Sequence, residues 1–224
     1  MITRAENPAH PVPTDVLLAS WAGATGADLD ALNDLAHRAR SGMPDWFVPW
    51  RAAETSATLL RYWSPFNVPG IAQTVAYMRA LFNDEGHYVD QVDELVTARR
   101  ERQSVIGRVP VTVIIGHAVL YRLVGSPAVM SEQMGHLASV AERVTVHVLP
   151  DGITTGSGGA LDLASRDGIT TVNLSTTLED VTTTAEHLVV KAQQLFDRLL
   201  GEAMPRAESL IQLRTAEGRW KKQA

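Results

Sequence analysis

The run from Val109 to Pro150 constrains the fold more tightly than any other part of the chain. It opens with VPVTVII, a β-branched stretch suited to a buried strand, broken by Gly116 and followed at once by His117. AVMSEQMGHLASVAER comes next, with Val129, Met130, Met134, Leu137, Val140 and Ala141 at the spacing of an amphipathic helix. VTVHVLPDG then reads as a second strand, stopped by Pro150 and Gly152. Strand, helix and strand within about forty residues suffice for a crossover, which predicts a parallel pair with the helix over one face.

Around this unit the punctuation predicts a helical front half. Thr14 or Asp15 caps a helix through Leu17, Leu18 and Trp21, and Asp28 caps a second carrying Leu29, Leu32 and Leu35. A longer helix is expected over WFVPWRAAETSATLLRYW, with Pro49 in its first turn or interrupting it; Trp46, Trp50 and Trp63 would seal it against the sheet. Two more follow, over IAQTVAYMRALF and from about Tyr88 to Ile106. Beyond the central unit, GALDLAS and ITTVNLS flank Asp167-Gly168, a strong hairpin signal. Helices are expected again over Leu178 to Leu200 and over Pro205 to Thr215, with a fraying basic tail. The fold class is therefore mixed α/β: a helical N-terminal half packed on a sheet of about four to five strands with flanking helices. The expected divisions are a helical extension over 1–43, the α/β domain over 44–216 and a basic tail over 217–224.

Several function classes fall away on composition. The 224 residues contain no cysteine, which removes disulfides, thiolate metal sites and thiol nucleophiles. A net charge of −5 without a basic face argues against direct nucleic-acid binding. Neither a signal-peptide core nor a span approaching about eighteen apolar residues is present, so no membrane partner is expected and the default location is cytoplasmic.

Five segments in order carry a family resemblance: TLLRYWSPFNVPGIAQTVAYMRAL, ARRERQ, AVLYRLVGSPAVMSEQMGHL, VTVHVLP, and LED followed by FDRLL and ESLIQL. Together, over roughly Trp46 to Leu213, they resemble the actinobacterial domain of unknown function that usually follows an Xre-type helix-turn-helix in regulators. The resemblance implies a sensor or protein-interaction domain. Pro13 to Arg40 resembles the helical connector after the DNA-binding domain, so the extension is expected to be a remnant of it. Against the family pattern, Val75 stands where Glu is common, Gly116-His117 where Asp-Glu is usual, and Ser175 where a strand commonly ends in Glu. Asp151 takes a typically apolar place.

Few residues have the chemistry to act. His117 lies just past a buried strand's C-terminal end, where α/β sheets place ligands, and could serve as general acid or base. Asp151 and Tyr77 are its candidate catalytic partners. Gln73, Tyr77, His117, Arg122, His147 and Asp151 form the candidate ligand-binding set, Gln73 and Tyr77 sharing a helix face and His147 expected to join His117 from a neighbouring strand. His136, on the apolar helix face, reads as structural. No metal and no cofactor is expected, and the glycine-rich GITTGSGG reads as a turn or flap, since it lacks the Gly-Lys-Ser/Thr of a P-loop. The expected function is a module binding a small apolar or amphipathic molecule, or a small protein partner, with a homodimer as an expected assembly. The second expectation is a cofactor-independent cyclase or isomerase of specialised metabolism, using His117 in the former sensing pocket.

Overall fold

A computed structural model of the chain describes residues 13–40, 47–86, 89–153, 159–175 and 180–224. At its centre six strands form one sheet in the order β3-β2-β1-β4-β5-β6. They are β1 (Leu59–Ser64), β2 (Val111–Gly116), β3 (Thr145–Leu149), β4 (Leu161–Arg166), β5 (Ile169–Leu174) and β6 (Val181–Thr183). The first three run parallel, and β4 to β6 are antiparallel additions on the far side of β1.

The central unit folds as its sequence pattern predicts. VTVIIG is β2, TVHVL is β3, and the crossover between them carries α7 (Pro127–Val140), capped by Ser126, whose hydroxyl accepts from the Val129 N–H. The Asp-Gly hairpin is also present: Asp167 and Gly168 both take positive φ, 51° and 79°, and join β4 to β5 with Arg166 opposite Ile169. The first two helices, α1 (Asp15–Thr25) and α2 (Leu29–Arg40), start near their expected caps; an Asp28 carboxylate oxygen accepts from the Asp30 and Ala31 N–H groups.

The helical front half needs correction. Pro49 does sit in the first turn of a helix, α3 (Val48–Ser56), but LLRYWS after it is β1, the middle of the sheet. A central strand covered on both faces loses the apolar/polar alternation that would mark it. Here Leu60 and Tyr62 enter one core and Trp63 the other, all nearly inaccessible. A second expected helix is also shortened, because the Val181–Thr183 segment pairs with β5 before α8 (Glu186–Glu202) begins. The last helix, α9 (Arg206–Lys221), runs past Thr215 rather than fraying, because Trp220 is buried at its end.

Two layers cover the sheet. On one face, Leu60, Tyr62, Val113, Ile115, Val146 and Val148 pack against Trp50 of α3, Met130, Met134 and Leu137 of α7, and Leu213, Ala216 and Trp220 of α9. On the other, Trp63, Ile114, Leu161, Leu163 and Val172 meet Ala192, Phe196 and Leu199 of α8. The remaining pair, α4 (Val75–Asp84) and α5 (Val89–Arg102), closes around Met78, Phe82, Val92 and Val96. Trp50 thus joins helix to sheet as expected, whereas Trp63 faces α8; Trp46 lies outside the described residues. The parallel strands all end at one edge, from which the loops after β1, β2 and β3 emerge. That edge is where open α/β sheets bind ligands.

Candidate functional site

His117 follows the last residue of β2, and its N–H still bonds Leu149 O of β3 at 2.9 Å. Its place depends on Gly116, because a Cβ there would stand 2.7 Å from Pro65 O in the loop after β1. Beyond Pro150, the chain turns through Gly152 at φ 86° and brings Asp151 to His117. The Asp151 Oδ2 atom lies 2.7 Å from His117 Nδ1. A carboxylate oxygen only accepts, so in this contact Nδ1 carries the proton; in the neutral tautomer this fixes, Nε2 holds the lone pair. A histidine oriented by a carboxylate in this way is arranged for general base work. The short helix α6 (Ala118–Tyr121) then places the Tyr121 ring 5.1 Å from the His117 ring, tilted by 59°. Over Tyr121 lies the Arg219 guanidinium, 4.9 Å from the ring centroid.

Gln73 and Tyr77 do not share a helix face, because α4 starts only at Val75 and Gln73 precedes it in extended backbone; both instead hold the loop between β1 and α4. The Gln73 amide donates to Val68 O at 2.6 Å, and its oxygen accepts from Arg99 at 2.8 Å. The Tyr77 hydroxyl accepts from Val68 N–H at 3.3 Å. Burial raises the Tyr77 pKa, while the Val68 bond and the Arg122 charge pull the other way. Arg99 has its pKa lowered to about 10 by burial and by Arg102, and it also stacks on Phe82, 4.3 Å from the centroid. Arg122 is exposed next to Tyr121.

His147 goes elsewhere. Strand alternation sets it beside Ile114, on the α8 face, and its Nδ1 lies 2.9 Å from Met204 O in the α8–α9 connection. This is a structural contact at the sheet edge, away from the His117 ring face. His136 is half-buried on α7, and desolvation lowers its pKa. Residues 154–158, which contain Ser157 and most of the glycine-rich loop, fall outside the described residues, as does Glu179. Ser175 continues β5 by one bond, its N–H reaching Ala160 O at 3.1 Å, where Gly159 leaves no room for a side chain. Among the described residues no three His, Asp or Glu side chains gather as metal ligands, and no helix is long and apolar enough to cross a membrane.

A polar row that sequence reading missed crosses the same sheet face beside this edge. Tyr62 of β1, Asp162 of β4, Asn173 of β5 and Thr182 of β6 are register neighbours. Above them, Arg102 holds the fully buried Glu54 through two bonds, 2.6 and 2.8 Å, and Tyr62 donates to the same carboxylate at 2.8 Å. Burial disfavours the Arg102 charge, but Glu54, helped by Tyr62 and Asp162, outweighs it and raises its pKa. Tyr62 is pushed well up by burial and then by Glu54. The Asp162 carboxyl is pushed up to about 8 by desolvation and then by Glu54, so it is largely protonated at neutral pH. GALDLAS reads only as a β-prone run, whereas in the fold α3 packs against β4 and brings Glu54 to Asp162.

Residues 49–215 match the family described as Domain of unknown function (DUF5753), about three quarters of the 224 residues. No curated protein matches the chain. The matched span runs from the first turn of α3 into α9 and takes in the whole sheet, the His117–Asp151 pair and the buried polar row; the chain belongs to the DUF5753 family.

Proposed function

We propose that this chain is a small-molecule-binding module, its ligand seated where β1, β2 and β3 end, against His117 and Asp151. The observation that carries this reading is the company the pair keeps. Phe66, Leu123 and Ile153, on the loops after the three parallel strands, expose 51%, 54% and 37% of their surface. Apolar side chains left in water on the loops that follow the same three strands suit an amphipathic ligand. The resemblance to sensor domains of actinobacterial Xre-type regulators supports a place in regulation or specialised metabolism, in the cytoplasm. A net charge of −5 gives the chain no attraction to DNA, so it would act by binding a metabolite or a small protein partner.

One observation favours a second reading. The 2.7 Å bond from His117 to Asp151 is the geometry of an oriented general base, as a cofactor-independent cyclase or isomerase would need. Thermal denaturation in the presence of actinobacterial metabolite extracts, on wild type and His117→Ala, tests both. Ligand binding to the native state raises the midpoint by mass action, and His117→Ala should lose that shift. An extract left unchanged by mass spectrometry fits the sensor, whereas a metabolite consumed by wild type alone makes the chain an enzyme. A midpoint indifferent to every extract counts against both readings.

A further inference from the structure

The geometry points to Arg219 as the residue that selects an anionic ligand for the His117 site, by gripping a carboxylate of that ligand. This inference rests on the ligand-binding reading above and adds the ligand's charge.

Four side chains stand in series, Asp151, His117, Tyr121 and Arg219, joined by a 2.7 Å hydrogen bond and by ring contacts of 5.1 and 4.9 Å. Arg219 is held there by its neighbour. Trp220 is buried at 6% exposure and donates through Nε1 to Leu120 O at 2.8 Å, tying the end of α9 to the short helix that bears Tyr121. The guanidinium carbon lies over the phenol ring, 4.9 Å from its centroid, and a guanidinium that stacks on an aromatic face keeps its N–H fork for a planar two-oxygen acceptor. Two carboxylates of this neighbourhood are otherwise engaged: Glu217, two residues before Arg219, bonds Arg214 at 2.9 Å, and Asp151 bonds His117 at 2.7 Å. An anion at the Arg219 fork would lie across Tyr121 from His117 Nε2, whose lone pair then meets a proton donor on the body of the ligand. The class is an amphipathic carboxylate that also carries a hydroxyl, an amide N–H or an acidic C–H.

The probe is sodium benzoate, with benzamide as its uncharged analogue, followed by the imidazole resonances of His117 in NMR titrations of the full chain. Benzoate should shift these resonances saturably, and benzamide should bind at least fivefold more weakly. Arg219→Ala should weaken benzoate at least fivefold, Arg219→Lys should recover part of the loss, and Lys221→Ala, one turn-end charge further on, should change it less than twofold. An unchanged far-ultraviolet circular dichroism spectrum shows that Arg219→Ala has kept α9. Equal binding of benzoate by wild type and a folded Arg219→Ala protein would overturn the inference, as would equal binding of benzamide. Stabilisation by a metabolite extract that needs His117 but is indifferent to Arg219→Ala would sink the anion and leave the ligand site standing.

Discussion

Single positions show how far side-chain type alone can be read. His117 and Asp151 were legible as a pair of candidates, since one follows a buried strand and the other follows the next strand's stop signal, and the fold brings them to 2.7 Å. Gly116 was legible only as an interruption. Its reason is steric and non-local, the Pro65 carbonyl 2.7 Å from where a Cβ would stand. Asp162 was not legible at all, because period-two alternation predicts which residues share a face but not whether a helix covers that face. Its burial has a measurable sign. The folded protein keeps a proton on Asp162 up to about pH 8, while the unfolded chain releases it at the ordinary carboxylate value. The unfolded state therefore binds fewer protons across that window, and stability falls as pH rises through it, levelling off above about 8. Asp162→Asn keeps a neutral side chain and should flatten this fall. Urea midpoints at pH 5 and pH 8 should thus drop further in wild type than in the variant. His136, whose lowered pKa gives a slope of the opposite sign, is common to both proteins and cancels in the comparison. Equal drops in the two proteins would mean that Asp162 is ionised in the folded state.

Among the elements, α9 departs furthest from its sequence reading. Its N-terminal turn and the residues leading into it serve the edge of the sheet: Ser209 Oγ accepts from Val148 N–H at 3.0 Å, and Met204 N–H, in the α8–α9 connection, donates to Val148 O at 2.9 Å. These bonds satisfy backbone groups that β3, an edge strand, would otherwise present to another chain. Its C-terminal turn is held by Trp220, and between them Leu213 and Ala216 pack on the sheet-facing core beside α7. Arg219-Trp220-Lys221-Lys222 reads as a basic tail because charge dominates the composition, yet one aromatic residue among cations suffices to dock it. Trp220→Ala should destabilise the protein by about 3 kcal/mol or more, the range for emptying a buried aromatic site. Trp220→Phe keeps most of the packing but abandons Leu120 O, and should cost about 1 kcal/mol. Urea denaturation of the two variants reads both numbers. A loss below about 0.5 kcal/mol for Trp220→Ala would show the last turn to be frayed after all.

At the scale of the molecule, the parallel unit and the Asp-Gly hairpin were readable because each is specified by neighbours in sequence. The position of β1 was not, because its partners are β2 and β4, far along the chain, and its helix-like composition is resolved only by burial on both faces. That placement predicts an order of local stability. Every amide of β1 and β2 lies between paired strands, beneath α3, α6, α7 and α9 on one face and α8 on the other. In α1 and α2, by contrast, Leu18 and Ala36 are the buried apolar residues among those described, and Val16 and Leu35 expose 83% and 54% of their surface. Opening the first two helices uncovers little apolar area, while opening β1 takes the whole sheet with it. Amide hydrogen exchange should therefore find β1 and β2 exchanging only through global unfolding, and α1 and α2 exchanging orders of magnitude faster through local opening. Denaturant dependence distinguishes the two routes, since global opening steepens with urea in proportion to the surface exposed. If α1 and α2 were as protected as β1, with the same steep dependence, the helical extension would be part of the cooperative core rather than an attachment to it.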